Sequence, residues 1–347
     1  MTQKKVVIIG GGFAGAIIAK KLQDTYNTTL IDTKDYFEFT PSILRTLVSP
    51  EHLEKIQIPH EKYLKKTKII KSEVIEVSKE KVILKNKKQL KFDYLIIASG
   101  AKYNMPFKNE DMIIATRAQE LKNEHKNLQK SKEIGIIGGG AVGVELVAEI
   151  ATKYKNKKIN LIHSHERIME RNNLKASEYA TKFLEKRNVE LILNERAKES
   201  RKKTIITESG RKINCDLVFL STGVKPNSEF MERNLSSYLD KRKSIMVNAF
   251  LQVDHFNNIF SAGDVNSINE EKTAQAAEKQ SKMIVNNIIN IEKNLPLLEY
   301  KPKKGPYITS LGKYNAILEV KGFTITGLFP ALLKYIVELK TMLKYRS

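Results

Sequence analysis

The sequence contains one cysteine, Cys215, and no tryptophan among its 347 residues. A single thiol excludes an intrachain disulfide and every redox chemistry that depends on a pair of cysteines, and it suits a reducing compartment. The six histidines show no metal-ligand spacing, so no metal site is predicted.

Extended apolar stretches are also scarce. Met1 is followed almost at once by Lys4 and Lys5, so no secretory signal is visible and a cytoplasmic location is predicted. From Pro330 onward the apolar residues have helical spacing, but about 16 residues at about 1.5 Å each give only about 24 Å. This segment is therefore too short, and too rich in charges, to cross a bilayer.

Positive charge is in excess. Lysine and arginine together number 60 against 39 aspartate and glutamate residues, which gives a formal net charge of +21. This balance favours an acidic partner, either nucleic acid or an anionic membrane, although a solvated lysine surface explains it equally well. No basic stretch is interleaved with aromatic residues as base stacking requires, so no specific nucleic-acid partner is predicted.

Two glycine-rich units dominate what is present. In each, an apolar run typical of a buried strand breaks into G-x-G-x-x-G and continues with helical spacing. Backbone N–H groups in such a turn, together with the N-terminus of the helix, can hold a pyrophosphate. The glycines are Gly10, Gly12 and Gly15 in the first unit and Gly138, Gly140 and Gly143 in the second. Two such units predict two bound dinucleotides.

Both units continue in the same way, with a second strand at residues 29–32 and 159–163 and a closing strand at residues 92–100 and 216–223. The duplication predicts an α/β fold with two Rossmann-like dinucleotide-binding domains, the second inserted in the first, followed by a C-terminal amphipathic segment. The predicted boundaries are 1–103 with 247–305 for the first domain, 104–246 for the second, and 306–347 for the C-terminal membrane-interface segment.

The last helix of the C-terminal segment separates apolar from polar side chains. Leu332, Leu333, Ile336, Leu339 and Leu343 share one side, and Lys334, Glu338, Thr341 and Tyr345 share the other. This pattern predicts a helix that lies in the interface of an anionic membrane, where its basic residues meet lipid phosphates. These basic residues are Lys334, Lys340, Lys344 and Arg346. Packing against its own domain, or against a second subunit in a homodimer, is the alternative.

The whole pattern resembles the two-dinucleotide-binding flavoproteins of the pyridine nucleotide-disulfide oxidoreductase superfamily, and within them the type II NADH dehydrogenase and ferroptosis suppressor protein-like group. The broad marks are the two glycine turns and the strand ends Ala98-Ser99-Gly100, Thr222-Gly223 and Ala262-Gly263-Asp264. Narrower marks are residues 35–44, which are similar to a flavin-side segment of the type II enzymes, residues 273–280, which are similar to their quinone-site helix, and residues 161–164, which are similar to the ferroptosis suppressor.

This resemblance implies FAD on the first domain and NAD(P)H on the second. The residues expected to contact these cofactors are Gly10, Gly12, Phe13, Ala14, Gly15, Asp32, Thr33, Lys34, Val74, Ala98, Ser99, Gly100, Gly138, Gly140, Val142, Gly143, Glu145, His163, Thr222, Gly223, Gly263, Asp264 and Ala274. Among them Asp32 is expected to bind the adenosine ribose and Asp264 the ribityl chain.

The end of the second strand differs between the two units, because His163 stands where Asp32 stands in the first. A carboxylate there accepts both ribose hydroxyls and repels a 2′-phosphate, whereas an imidazole does not repel it. The sequence therefore predicts that NADPH is tolerated. His165 and Arg167 would add positive charge, unless they belong to an exposed strand end.

The chemistry implied is direct hydride transfer, which requires two aligned rings rather than an acid–base pair. By resemblance Glu145 lies near the nicotinamide and the flavin, although a carboxylate that complements the helix dipole is the alternative. Gln275 and, less strongly, Gln280 are candidates for polar contacts to a quinone, or are ordinary polar residues on a helix. Because Cys215 is the single cysteine, neither a disulfide reductase nor a sulfide:quinone oxidoreductase is expected.

The predicted function is a non-proton-pumping, FAD-dependent NAD(P)H:quinone oxidoreductase, peripheral on the inner face of a membrane. One alternative is a soluble reductase of a protein electron carrier such as rubredoxin. Another is a binding protein similar to apoptosis-inducing factor, in which the basic charge engages nucleic acid and the flavin mainly stabilises the fold.

Overall fold

The computed structural model describes residues 3–103, 112–114, 118–201 and 203–346. Its first sheet has five parallel strands, and most of their apolar side chains are buried. Continuous runs of β-branched residues suit these strands because both faces of the sheet are covered. One face packs on the helices Phe13–Leu22 and Ala274–Glu292, and the other packs in part on an antiparallel sheet within residues 74–91. From edge to edge the strands are Ile259–Ser261, Tyr94–Ile97, Lys5–Ile9, Asn27–Asp32 and Lys68–Lys71.

The second sheet repeats the first strand for strand, also with five parallel strands. In the same order they are Met112–Ile114, Leu217–Leu220, Glu133–Ile137, Lys158–Ile162 and Val189–Ile192. The first glycine helix, Phe13–Leu22, and the second glycine helix, Ala141–Lys153, follow equivalent strands. The predicted α/β duplication, with the second unit inserted in the first, is therefore confirmed.

Each unit also carries a three-stranded antiparallel sheet, which precedes the closing parallel strand of that unit in the chain. The strands are Val74–Val77, Lys81–Leu84 and Gln89–Lys91 in the first unit and Ala197–Arg201, Thr204–Thr207 and Lys212–Asn214 in the second. Short elements fill the remaining connections: strands Tyr36–Glu38 and Gln57–Pro59, α-helices Leu53–Ile56, Ala118–Lys130 and Leu174–Glu185, and 3₁₀ helices Thr40–Leu47, Pro50–His52, His60–Lys62, Glu229–Met231 and Ser236–Tyr238.

Two strands connect the units as an antiparallel ribbon, Ala101–Tyr103 with Val224–Pro226. Just beyond it, the side chains of Phe230, Met231 and Ile245 already pack in the core of the first sheet. These residues precede the predicted return to the first domain at residue 247. We propose that the return begins directly after the ribbon.

The chain ends in a sheet and a helix. A long helix, Ala274–Glu292, precedes them; the Thr273 hydroxyl caps its start by accepting from Ala276 N at 3.1 Å. The antiparallel strands Tyr307–Ser310, Ala316–Val320 and Phe323–Gly327 lead into the C-terminal helix, Leu328–Arg346. Within the described ranges, no helix has the length and apolarity needed to span a membrane.

Candidate functional site

The two glycine turns have the same backbone geometry. Gly10 and Gly138 adopt φ angles of +97° and +109°, which favour glycine strongly. A Cβ at Gly15 would lie 1.8 Å from the Gly10 oxygen, and a Cβ at Gly143 would lie 1.8 Å from the Gly138 oxygen. Each helix therefore begins directly against its own turn, which requires that it carry no side chain there.

Gly12 and Gly140, the second glycine of each G-x-G-x-x-G motif, face open space, unlike the first and third glycines. A Cβ on Gly12 or Gly140 would meet no atom within 4 Å. This space lies at the N-termini of the two glycine helices, where backbone N–H groups and the helix dipole favour a phosphate. The turns thus form two cradles that fit the pyrophosphates of two dinucleotides.

The closing strands end beside these cradles. A Cβ on Gly10 would lie 2.2 Å from the Ala98 oxygen, and one on Gly138 would lie 2.5 Å from the Ser221 oxygen. In the second unit the hydroxyls of Ser221 and Thr222 are buried, with no hydrogen-bond partner among the described residues. Buried hydroxyls without partners are costly, which fits a ligand that supplies the missing partner.

Asp32 lies at the end of its strand as predicted, next to the first cradle. Its carboxylate accepts hydrogen bonds from Gly11 N at 2.5 Å and from Lys34 N at 2.8 Å. The Thr33 hydroxyl also contacts it, at 3.4 Å. Asp32, Thr33 and Lys34 therefore form one local unit, with the carboxylate oriented by backbone N–H groups.

His60 is a site residue that the sequence analysis missed. Its Nε2 lies 2.4 Å from the position of a Cβ on Gly11, and it has no hydrogen-bond partner among the described residues although the side chain is fully buried. Its Nδ1 contacts the Tyr63 hydroxyl at 2.6 Å. Burial lowers the pKa of His60 to about 4, so the ring is neutral at pH 7. Only the fold brings it to Asp32, across 28 residues of chain.

His163 occupies in the second unit the place of Asp32. Its Nδ1 accepts from Gly139 N at 3.1 Å, and its Nε2 lies 3.1 Å from Oε2 of Glu170, a second residue that the sequence analysis missed. The ligand atoms of His163, His165 and Glu170 lie within 4.8 Å of one another. The lone pair on His163 Nδ1 already accepts from Gly139, so the ring proton is on Nε2. A metal ion would need a lone pair on Nε2, which this tautomer lacks. His163 and Glu170 therefore form a hydrogen-bonded pair, and the three residues are not assigned as a metal site.

The Gly263–Asp264 turn is held by Gln280. The buried Gln280 side-chain oxygen accepts from Gly263 N at 2.7 Å, and its amide donates to Glu270 at 2.6 Å. The suggestion that Gln280 contacts a quinone is therefore wrong, because both ends of its amide are engaged inside the protein. Asp264 is half-buried, and burial raises the pKa of its carboxyl although Lys272 opposes this.

Gln275 lies elsewhere, exposed in the first turn of the helix Ala274–Glu292. Its amide donates to the Pro306 oxygen at 3.3 Å. This contact places Gln275 at the start of the C-terminal segment. Ala274, beside it, is the first residue of the helix, and the role of both toward a cofactor or quinone stays a prediction.

Glu145 joins the second glycine helix to the C-terminal segment. Its Oε1 accepts from Ser310 N at 2.6 Å and from the Lys334 ammonium at 2.7 Å. The Lys334 side chain is only 14% exposed. The expectation that Lys334 meets lipid phosphates is therefore wrong, because its charge is paired inside the protein.

Polar contacts also join both of these elements to residues 42–52. Arg45 lies 3.0 Å from Glu149, one turn after Glu145. On the C-terminal helix, buried Glu338 accepts from the Ser42 hydroxyl and lies 3.6 Å from His52. Although burial alone would raise it, the nearby His52 and the hydrogen bond from Ser42 hold the pKa of Glu338 below its ordinary range. The polar side of the C-terminal helix thus packs on the protein.

The opposite side of this helix is apolar and exposed. Together with the preceding strand it forms what we call the apolar surface: Phe323, Ile325, Leu328, Phe329, Leu332, Tyr335, Ile336, Leu339 and Leu343. Phe323 is 74% exposed and Leu328 is 66% exposed. A contiguous apolar patch of this kind marks an interaction site. Its position matches the predicted division of the helix into an apolar and a polar side.

The remaining predicted residues lie around the two cradles. Phe13 begins the first glycine helix and packs edge-on against Phe37, with ring centroids 5.2 Å apart, and Ala14 is buried behind it. The Ser99 hydroxyl donates to the Asn227 oxygen at 2.6 Å. Gly100 and Gly223 both have positive φ. Val74 begins the first antiparallel sheet, and Val142 is exposed beside Gly140.

Comparison with known proteins agrees with this geometry. A family model described as pyridine nucleotide-disulphide oxidoreductase matches residues 4–281. Apoptosis-inducing factor homolog B of Dictyostelium discoideum is 33% identical over 94% of this chain and 92% of its own length. Ferroptosis suppressor protein 1 of Mus musculus is 31% identical over 95% of this chain and 92% of its own length.

Two solved structures share the fold over almost the whole chain. NDH2 of Plasmodium falciparum, in complex with NADH, superimposes with a TM-score of 0.87 at 17% identity, covering 99% of this chain and 96% of that one. The sulfide:quinone oxidoreductase of Aquifex aeolicus superimposes with a TM-score of 0.85 at 20% identity, covering 99% and 91%. At these identities the similarity establishes the fold alone.

Proposed function

Because the chain belongs to the pyridine nucleotide-disulphide oxidoreductase family, we propose that it is an FAD-dependent NAD(P)H:quinone oxidoreductase. The observation that carries the proposal is the repeated cradle, with open space at Gly12 and at Gly140. One cradle would hold the FAD pyrophosphate and the other that of NAD(P)H. When bound, FAD would supply the redox chemistry that links two-electron oxidation of the nicotinamide to reduction of a quinone.

The residues around the first cradle are suited to FAD. Asp32 offers a carboxylate, already oriented by Gly11 N, to the adenosine ribose. Asp264, fixed through the Gly263–Gln280 hydrogen bond, offers a second carboxylate to the ribityl chain. These contacts bind and orient the cofactor, and the reaction requires little else of the protein.

A quinone is the acceptor that the chain supports best. Its one cysteine is buried, and burial raises the pKa of this thiol to about 11, so thiolate chemistry is disfavoured. The C-terminal helix contacts Glu145 through Lys334 on one side and presents the apolar surface on the other. An apolar acceptor arriving from a membrane would therefore meet the outer side of the C-terminal helix, whose inner side contacts the second glycine helix.

Anaerobic mixing tests this function. The purified, yellow protein is mixed with NADH or NADPH and then with a short-chain quinone, while the flavin absorbance is followed. We expect bleaching by the nucleotide and recovery on addition of the quinone. A colourless protein that takes up no flavin contradicts the proposal. Recovery with rubredoxin but not with quinone would favour the soluble reductase instead.

The apolar surface is proposed to bind the interface of an anionic membrane, with Lys340 and Arg346 exposed on the same helix. We expect Leu332→Glu to weaken binding to vesicles that contain anionic lipid by about tenfold, because it places a charge on the face that would enter the membrane interface. Leu174→Glu is the matched control: Leu174 is 57% exposed and Leu332 is 54% exposed, but Leu174 lies outside this surface. Co-sedimentation with vesicles measures both.

Equal binding of both variants and the wild type would contradict the membrane proposal. A wild-type protein that ignores vesicles but forms a dimer, which Leu332→Glu dissociates, would instead identify the surface as a subunit interface. Analytical ultracentrifugation of the same three proteins separates these outcomes.

A second candidate function rests on the relative named apoptosis-inducing factor homolog B and on the net charge of +21. In this case the protein binds nucleic acid through counterion release, and the flavin mainly stabilises the fold. Strongly salt-dependent DNA binding with negligible quinone turnover would favour it.

A further inference from the structure

In the second cradle the carboxylate comes from a loop, whereas in the first it comes from the end of the second strand. In the first unit the strand ends in Asp32, whose carboxylate meets Gly11 N directly, and His60 lies behind it. In the second unit the strand ends in His163, which meets Gly139 N, and Glu170 lies behind it. Both units therefore hold one histidine and one carboxylate at the glycine turn, with their positions exchanged.

The loop that carries Glu170 is fixed to the glycine turn by its backbone. Met169, with a positive φ of 52°, donates its N–H to the Gly139 oxygen at 2.8 Å. The guanidinium of Arg167 donates to the oxygens of Met169, Glu170 and Asn172. These bonds hold the Glu170 carboxylate against His163 before any ligand arrives.

The charges of this pair are well defined. Burial lowers the pKa of His163, so its ring is neutral at pH 7 and donates from Nε2 to Glu170. Although burial alone would raise it, the backbone and His163 hold the pKa of Glu170 below its ordinary range, so the carboxylate is ionised. The Glu170 side chain remains 25% exposed. The turn therefore presents a partly exposed negative charge.

The nearby cations are poorly placed to bind a 2′-phosphate. Arg167 keeps its positive charge, but its guanidinium already donates to three backbone oxygens, which hold it away from a ligand. Arg171 lies 3.8 Å from Glu170 but is 88% exposed, and an exposed ion pair contributes little. A second negative group next to Glu170 would therefore be repelled, whereas hydroxyl groups could donate to it.

We infer that Glu170 selects NADH over NADPH, with its carboxylate accepting from the adenosine ribose hydroxyls and repelling a 2′-phosphate. The inference rests on the proposed binding of NAD(P)H at the second cradle. It refines the prediction that His163 alone makes NADPH tolerated: NADPH binds, but more weakly than NADH. Because Glu170 is partly exposed, we expect a preference of about tenfold to hundredfold rather than complete exclusion.

The test compares Glu170→Gln with Glu166→Gln in the full-length, flavin-loaded protein. Both changes remove one negative charge from the same loop, but Glu166 is exposed and does not contact His163. Calorimetry or fluorescence titration gives the dissociation constants of NAD⁺, NADP⁺ and 2′,5′-ADP. We expect Glu170→Gln to reduce the preference for NAD⁺ over NADP⁺ by about tenfold and to bind 2′,5′-ADP more tightly than the wild type does. In Glu166→Gln we expect both quantities to be unchanged.

The outcomes separate the inference from the proposed function. If Glu170→Gln binds NAD⁺ and NADP⁺ with the wild-type ratio, Glu170 does not select, while the cradle still binds nucleotide. If both variants shift the ratio equally, general charge is responsible and the inference is overturned. If the wild type binds no pyridine nucleotide, the proposed function itself is contradicted. Thermal melting of both variants checks that each remains folded.

Discussion

Gly15→Ala is expected to yield a protein that no longer retains flavin and is less stable by about 3 kcal/mol. The added Cβ would lie 1.8 Å from the Gly10 oxygen and 3.1 Å from Ile8 Cγ2. The first of these atoms is backbone, so it cannot move aside as a flexible side chain would. The first glycine helix must then shift away from the turn. Flavin absorbance after desalting and denaturant unfolding measure the two effects.

Gly12→Ala is the matched control, because a Cβ there meets no protein atom within 4 Å. We expect an unchanged free energy of unfolding for the flavin-free protein, but weak flavin binding, since the methyl group enters the space proposed for the pyrophosphate. Retention of flavin with wild-type affinity in Gly12→Ala would show that the first cradle does not hold it.

Glu145→Ala is expected to lower quinone turnover by about tenfold to hundredfold. Loss of the Glu145 carboxylate leaves the Lys334 ammonium and the Ser310 N–H without their shared acceptor. Each unsatisfied buried group costs about 1–3 kcal/mol, so the C-terminal segment should also loosen. Steady-state turnover with a short-chain quinone measures the first effect, and proteolysis of the C-terminal helix measures the second.

Glu149→Gln is the control for this change. It breaks the Arg45 ion pair one turn further along the same helix without touching Lys334. Rapid mixing then separates the two half-reactions of the Glu145 variant. Slow bleaching by NADH would assign Glu145 to the nicotinamide side, and slow recovery would assign it to the acceptor side. Wild-type turnover in Glu145→Ala would exclude both roles.

The local parts of the site could be predicted from the sequence. Spacing alone identified both glycine turns and the equivalence of Asp32 and His163, which the structure confirms through their matching contacts to Gly11 and Gly139. Such features depend on neighbours a few residues apart, or on a duplication visible in the chain. The apolar side of the C-terminal helix was predictable for the same reason, because helical spacing fixes which residues share a side.

Contacts between distant segments could not be predicted. Lys334 was expected to meet lipids because nothing in a helical pattern reveals that Glu145 faces it across 189 residues. Gln280 was a candidate quinone contact because the fold, and not its own helix, brings its partners Gly263 and Glu270 to it. Lys334 and Gln280 were each assigned to a ligand, whereas the fold pairs both internally. Glu170 carried no signal in the sequence, because a loop held by Arg167 brings its carboxylate to His163.

The antiparallel ribbon of residues 101–103 and 224–226 places the two chain crossings between the dinucleotide units side by side. Because the crossings pair with each other, Lys102 opposite Lys225, they share one register. An insertion or deletion in either crossing would therefore disturb the pairing of both. The Arg45–Glu149 ion pair joins the units independently of the ribbon, so such a change would not by itself separate them.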